Sequence, residues 1–104
     1  MVNILLVCSA GMSTSMLVKR MQEDAAEKGI EANIIAVGDA ESGEHLNTSD
    51  IVMLGPQVRY LASNMEERVA GRIPVSVIDM QAYGMMNGAK VLADALTIIE
   101  DFKK

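Results

Sequence analysis

The chain has a single cysteine, no long apolar run and no basic excess, and each of these absences excludes a class of protein. Cys8 is the only cysteine among 104 residues. One cysteine excludes an internal disulfide and a multi-cysteine metal site, and is typical of a reducing cytoplasm. The apolar runs have the length of strands, too short to cross a membrane. The first run has neither a basic leader nor a cleavage pattern, so we expect no signal peptide.

The charge balance excludes a second class of protein, those that bind nucleic acids. Asp and Glu outnumber Lys and Arg by 14 to 9, which gives a net charge of −5. Because no basic stripe is available to neutralise phosphates, we predict no nucleic-acid partner. Half of the residues are apolar, a globular composition. A chain of this length supports one core, so the sequence predicts a single domain over residues 1–104.

Four short apolar runs rich in β-formers alternate with helical patterns. The runs are Val2–Val7, Ala32–Val37, Ile51–Leu54 and Val75–Ile78. Their near-continuous apolarity indicates strands that are buried on both faces, as in a parallel sheet.

Helical spacing fills most of the remaining chain. One pattern starts at Met16 and ends near Gly29, a second runs from Val58 to near Gly71, and a third closes the chain over residues 91–102. Residues 38–49 are polar and predict a loop or at most a short helix.

This element order predicts an α/β fold of three layers, with a small doubly wound four-stranded parallel sheet in the order 2-1-3-4 and helices on both faces. Ligands of such sheets bind at the carboxyl ends of the strands, at the switch point between strands 1 and 3. Strand 1 ends at Cys8 and strand 3 ends at Gly55-Pro56-Gln57. We therefore expect these two loops to be neighbours.

The loop after strand 1 is the leading candidate for a site. Cys8 is followed by small and hydroxyl residues up to the predicted helix: Ser9, Ala10, Gly11, Met12, Ser13, Thr14 and Ser15. Ala10 and Gly11 allow close approach to a phosphate, and we expect one of the three hydroxyl residues to cap the helix. Unpaired N–H groups and the dipole at a helix N-terminus favour a thiolate and a bound phosphoryl group. Cys8 is thus a candidate nucleophile; an inert buried cysteine and non-covalent phosphate binding are the alternatives.

The loop resembles the phosphate loop of low-molecular-weight tyrosine phosphatases, C-x5-R followed by Ser or Thr. Thr14 stands here where those enzymes have the arginine that clamps the transferring group. Without this arginine, we expect water to attack a phosphocysteine more slowly. The loop is therefore suited to holding a phosphocysteine until an acceptor arrives.

Three motifs in order make a second resemblance more specific. Residues 6–15, the stretch L-G-P-Q-V-R-Y at residues 54–60, and V-I-D at 77–79 with Y-G at 83–84 resemble the IIB components of the bacterial sugar phosphotransferase system, in the lactose/cellobiose/chitobiose group. The resemblance covers essentially the whole chain and implies a single IIB domain of type 3.

The resemblance implies an activity and partners. A phosphoryl group passes from a histidine of the IIA component to Cys8, held by the backbone amides of Ser9 to Ser15. It then passes to a sugar, expected to be a disaccharide, that the membrane component IIC carries inward. No metal or organic cofactor is implied, and the chain is expected in the cytoplasm, associating with the membrane through IIC.

Four further residues are candidates for secondary roles: Gln57, Tyr60, Asp79 and Tyr83. Gln57 either binds the phosphoryl oxygens, faces IIA or is only an early helix residue. Tyr60 faces the site or the solvent, and Tyr83 is predicted in a loop that contacts a partner. Asp79 either caps the next segment or acts as a general acid.

Two other functions remain open at this point. A hydrolase related to low-molecular-weight tyrosine phosphatases would use the same cysteine, although Thr14 speaks against it. A non-catalytic regulatory module with the same fold is the third alternative.

Overall fold

The computed structural model describes residues 1–8 and 12–103, with only the backbone described at residues 12–14. Its strands are β1 (Val2–Cys8), β2 (Ala32–Gly38), β3 (Ile51–Leu54) and β4 (Val75–Val77). Its α-helices are α1 (Met12–Glu27), α2 (Asp39–Ser42), α3 (Ala62–Val69), α4 (Met80–Gly84) and α5 (Gly88–Lys103). Short 3₁₀ helices cover Leu46–Thr48 and Pro56–Leu61.

The four strands form one parallel sheet in the order β2-β1-β3-β4, as predicted. The α/β class, the helices on both faces and the strand order are confirmed. The central strand β1 is apolar throughout its second half, and residues 4–8 are at most 1% exposed. Alternate side chains of this strand enter opposite cores, because successive residues of a strand point to opposite faces.

The two cores differ in size. Among the described residues, one face of the sheet carries a cluster of 14 buried side chains, to which α1 and α5 contribute. The other face carries a cluster of eight, to which α3 and the segments around Leu46 and Val58 contribute. The larger core therefore lies under the two 16-residue helices.

Helix α1 begins at Met12, four residues before the predicted start at Met16. The prediction followed the apolar stripe, which begins only where the helix packs on the sheet at Leu17. The first turn is rich in serine and threonine and therefore carries no apolar signal. The N–H groups of the first turn of an α-helix have no partner within the helix. The expectation that Ser13, Thr14 or Ser15 caps the helix is wrong, because all three lie inside it.

The stripe predicted as one helix from Val58 is two elements. A 3₁₀ helix over Pro56–Leu61 contains a kink at Val58, with φ −119° and ψ 22°, and α3 follows from Ala62. Helix α3 ends as predicted near Gly71, where Ala70 and Gly71 have positive φ values of 52° and 74°. Residues 38–49, predicted as a loop or at most a short helix, contain the four-residue helix α2 and the 3₁₀ helix Leu46–Thr48.

Helix α4 was missed by the sequence analysis, which placed Tyr83 in a loop. Five residues are too few to show a helical repeat, so only the N-cap at Asp79 marks the start of this helix. The described part of the chain contains no helix with the length and apolarity needed to cross a bilayer.

The start of α5 packs unusually close to α1. A Cβ atom added to Gly88 would lie 2.6 Å from the backbone carbonyl carbon of Arg20 and from the backbone nitrogen of Met21. Asn87 caps this helix, since its Oδ1 accepts from the backbone N–H of Lys90 at 3.1 Å. Glycine is thus required at residue 88 by the contact between two helix backbones.

We expect Gly88→Ala to lower the free energy of unfolding by about 1–3 kcal/mol, because backbone atoms cannot move aside as a flexible side chain can. Gly84→Ala is the matched control, since a Cβ at residue 84 has no atom within 4 Å. Urea denaturation measures both variants. Equal effects of the two substitutions would contradict the close approach of α1 and α5.

Candidate functional site

Strand β1 carries Cys8 to the carboxyl edge of the sheet. Cys8 is fully buried and is the last residue of the strand, opposite Gly38 of β2. Helix α1 begins four positions later at Met12. A cysteine at the end of a central parallel strand, just before a helix, lies where doubly wound folds bind their ligands.

The predicted phosphate cradle falls largely on residues outside the part of the chain that the structure describes. Ser9, Ala10 and Gly11 are outside the described residues, and Met12, Ser13 and Thr14 are described by their backbone alone. Those three residues form the first turn of α1 together with Ser15, which is exposed. The cradle therefore stays a prediction, with its helical end located at Met12, four positions after Cys8.

Two glycines border Cys8, one at the end of β2 and the other directly after β3. Gly55 donates its backbone N–H to the carbonyl oxygen of Val7 at 2.8 Å, which extends the β1–β3 pairing by one residue. A Cβ atom on Gly55 would lie 3.6 Å from the Cβ of Cys8 and only 2.6 Å from Oε1 of Gln57. On the other side, a Cβ on Gly38 would lie 3.8 Å from the carbonyl oxygen of Cys8.

Gln57 is placed next to this cysteine by its contact with Gly55. Its Nε2 donates to the hydroxyl of Tyr83 at 3.0 Å, while its Oε1 faces Gly55. The structure thus joins Cys8, Gln57 and Tyr83 in one region, although they come from three separate segments. The two strand ends, Cys8 and Gly55, are neighbours as predicted, whereas the loop at residues 9–11 lies outside the described residues.

Tyr60 and Tyr83 line a groove of about 660 Å³ beside Gln57. We call it the tyrosine groove; its walls are Pro56, Gln57, Arg59, Tyr60, Met80, Tyr83 and Gly84. Tyr60 is 75% exposed, and Tyr83 is half-buried against the larger core. Tyr60 therefore both borders the groove and faces the solvent.

Asp79 has the capping role that was one of its two predicted functions. Its Oδ2 accepts from the backbone N–H of Ala82 at 2.9 Å, which satisfies one of the unpaired donors at the start of α4. Helix α4 carries Tyr83, so this cap contributes to the position of the tyrosine hydroxyl. A role of Asp79 as a general acid stays a prediction.

Two residues near the site were missed by the sequence analysis. Glu41 of α2 has its Oε2 3.0 Å from where a Cβ of Gly38 would lie, close to the backbone of Cys8. Arg68 of α3 donates to Oδ1 of Asp39 at 3.2 Å and to Oγ of Ser42 at 3.3 Å, which ties α2 in place. In the sequence, only Gly38, directly after a predicted strand, indicated that the space beside Cys8 is crowded. The partners of Arg68 gave no such signal, because they are distant from it in sequence.

The comparisons with known proteins agree with the small parallel α/β fold of this chain. Residues 3–94 match the family described as "PTS system, Lactose/Cellobiose specific IIB subunit". The chain belongs to this family, and the resemblance drawn from the three motifs is confirmed.

Individual relatives cover nearly the whole chain. The oligo-beta-mannoside-specific EIIB component of Bacillus subtilis (strain 168) is 45% identical, over 95% of this chain and 97% of its own. The galactose-specific EIIB component of Lactococcus lactis subsp. cremoris (strain MG1363) is 44% identical, over 88% and 91%.

Solved structures support the fold. The cellobiose-specific IIB component of Borrelia burgdorferi has a TM-score of 0.80 at 42% identity, covering 96% of this chain and 93% of that one. The predicted likeness to low-molecular-weight tyrosine phosphatases is confirmed for the fold alone. It rests on a structure of a YwlE mutant from Bacillus subtilis, with a TM-score of 0.55 at 14% identity and full coverage of both chains.

Two substitutions at Asp79 distinguish its role as the N-cap of α4 from the effect of its negative charge. We expect Asp79→Ala to lower the free energy of unfolding by about 1 kcal/mol, because the N–H of Ala82 loses its acceptor. Asp79→Asn keeps a capping oxygen and should cost much less. Urea denaturation measures both, and an equal loss in the two variants would show that the carboxylate charge matters rather than the cap.

A double-mutant cycle tests the hydrogen bond between Gln57 and Tyr83. We expect Gln57→Ala and Tyr83→Phe to be coupled by about 0.5–1 kcal/mol in the free energy of unfolding. The cycle cancels whatever else each side chain contacts. As a control, the cycle is repeated with Gln22→Ala in place of Gln57→Ala, because Nε2 of Gln22 donates to the backbone carbonyl of Ile34 instead. Additive effects of Gln57→Ala and Tyr83→Phe would contradict the observed pairing.

Proposed function

We propose that this protein is the phosphocarrier of a sugar phosphotransferase system. Cys8 accepts a phosphoryl group from a phosphohistidine of IIA and passes it to a sugar held by the membrane component IIC. The observation that carries the proposal is the location of Cys8 at the end of β1, bordered by Gly38 and Gly55 and followed closely by α1. Membership of the IIB family supports it.

The first transfer exchanges one bond to phosphorus for another. The thiolate sulfur of Cys8 attacks the phosphorus of the phosphohistidine, and the S–P bond forms as the P–N bond breaks. The imidazole nitrogen leaves with the electron pair, so no strong general acid is needed. Positioning and oriented dipoles supply the stabilisation that such a transfer requires.

The second transfer regenerates the thiolate. A hydroxyl oxygen of the sugar attacks the phosphorus, the O–P bond forms, and the S–P bond breaks with its electrons returning to sulfur. The hydroxyl proton goes to a base on the acceptor side or to water. This scheme needs no metal and no organic cofactor.

The resemblance to the IIB components assigns the roles of the surrounding residues in this proposal. The backbone amides of Ser9 to Ser15 cradle the phosphoryl group, and the unpaired N–H groups at the start of α1 favour its negative charge. Thr14 replaces the clamping arginine of the phosphatases. Phosphocysteine is thereby spared rapid hydrolysis, which suits a carrier.

The sugar is chosen elsewhere. The relatives described above carry three different sugars in their names, oligo-beta-mannoside, galactose and cellobiose, at 42–45% identity to this chain. Similarity over the whole chain therefore does not select a substrate. We propose that IIC makes the choice and that residues 1–104 act as one IIB domain of type 3 at the cytoplasmic face of the membrane.

A cysteine-dependent hydrolase is the second candidate, favoured by the fold shared with low-molecular-weight tyrosine phosphatases. It would use Cys8 to attack a phosphate ester and water to release the phosphate. Release of phosphate from an aryl phosphate, dependent on Cys8, would favour it over the carrier.

Intact-mass measurement tests the carrier function directly. The protein is incubated with phosphoenolpyruvate, the two general phosphotransferase proteins and a lactose/cellobiose-type IIA. We expect one added phosphoryl group that maps to Cys8, persists for minutes in water and is absent when IIA is omitted. Cys8→Ser should take up no phosphoryl group while retaining the circular dichroism spectrum of the wild type.

Uptake of the phosphoryl group by Cys8→Ser would overturn the proposal, as would a wild-type protein that stays unmodified. Phosphate release in place of a stable adduct would assign the protein to the hydrolases. If neither a phosphoryl adduct nor released phosphate is found, the result favours the non-catalytic regulatory module.

A further inference from the structure

The tyrosine groove holds most of the aromatic residues of the chain. The sequence contains two tyrosines, one phenylalanine and no tryptophan. Both tyrosines line this one groove, together with Met80, which is 64% exposed. Tyrosine, methionine and arginine are the residue types enriched in the cores of protein interfaces, and exposed apolar side chains gathered at one place mark binding surfaces.

The charge of the groove is opposite to that of the chain. Arg59 is an exposed member of its wall, and its guanidinium has no hydrogen bond or ion pair within residues 1–8 and 12–103. None of the groove residues is acidic. Asp79, the acidic residue that directly precedes Met80 in the sequence, caps α4 with its carboxylate. In a chain of net charge −5, this groove therefore fits an apolar side chain flanked by a carboxylate.

The groove is continuous with the site. Gln57 is part of its wall, and the same side chain lies against Gly55, which borders Cys8. A protein seated in the groove would therefore extend over the carboxyl edge of the sheet.

We propose that the tyrosine groove is the docking surface of the phosphoryl donor. An apolar side chain of the donor lies between Tyr60 and Met80, and a donor carboxylate pairs with Arg59. This inference rests on the proposed carrier function and names the surface that its donor uses.

The charge favours the donor over the membrane acceptor. Cytoplasmic loops of membrane proteins carry an excess of Lys and Arg, which Arg59 would repel. A soluble donor with an acidic patch meets no such repulsion, and a single exposed charge steers a transient complex without making it long-lived.

The test compares the groove with the opposite end of the sheet. Arg59→Glu and Met80→Ser alter the groove, while Lys103→Glu and Phe102→Ser make matched changes at the end of α5, where Phe102 is 47% exposed. Phosphoryl transfer from a phosphorylated lactose/cellobiose-type IIA to Cys8 is measured for all four variants and the wild type, together with their thermal unfolding midpoints.

We expect each groove variant to raise KM for the donor about tenfold while kcat at saturating donor stays within about twofold. The two controls should match the wild type. Salt should weaken donor binding by the wild type and should no longer do so for Arg59→Glu, because the attraction becomes a repulsion.

Three results would overturn the docking proposal and leave the carrier function intact. One is an unchanged KM in both groove variants when Cys8 is still phosphorylated. Another is an equal loss in the controls. The last is a defect confined to transfer from phosphocysteine to sugar in membranes that contain IIC, which would assign the groove to the acceptor. A wild-type protein that takes up no phosphoryl group on Cys8 would instead overturn the carrier function and the docking surface together.

Discussion

The burial of β1 on both faces is the constraint on which the rest of the structure depends. A strand covered by helices on each side and by strands on each edge has almost no free surface, as β1 shows over residues 4–8. Ligands of doubly wound sheets bind at the carboxyl ends of the strands. Strand β1 ends there in Cys8, and helix α1 begins four residues later. The same burial that stabilises the fold therefore fixes where the cysteine lies.

Close packing continues around that end of the strand. Gly38 and Gly55 leave room for the cysteine between two neighbouring strands, where any side chain on Gly55 would displace Gln57. The hydrogen bond from Gln57 to Tyr83 and the cap at Asp79 then connect the segments after β3 and β4. These two segments are thus joined by a short polar contact, in addition to Val58 and Ala82, which each segment buries in one of the two cores.

The sequence predicted those parts of the molecule that repeat a pattern. Continuous apolar runs gave all four strands within one residue at each end, and their order followed from the handedness of crossovers. The start of α1 was four residues off, because its first turn is rich in serine and threonine and so shows no apolar stripe in the sequence. Helix α4 and the contacts of Glu41 and Arg68 could not be predicted, since they depend on one capping residue or on distances between segments that only the folded chain defines.

The unequal cores have a consequence for the motions of the chain. Local opening costs least free energy where the fewest apolar contacts must be broken. In the described residues that is the face under α3, with eight buried side chains against 14 on the other face. We expect amide hydrogens of α3 and of the segment Pro56–Leu61 to exchange with solvent sooner than those of β1. Gln57 thus lies in the half of the molecule that opens at the lower cost in free energy. Cys8 lies in β1, the strand whose amide hydrogens we expect to be the most protected from exchange.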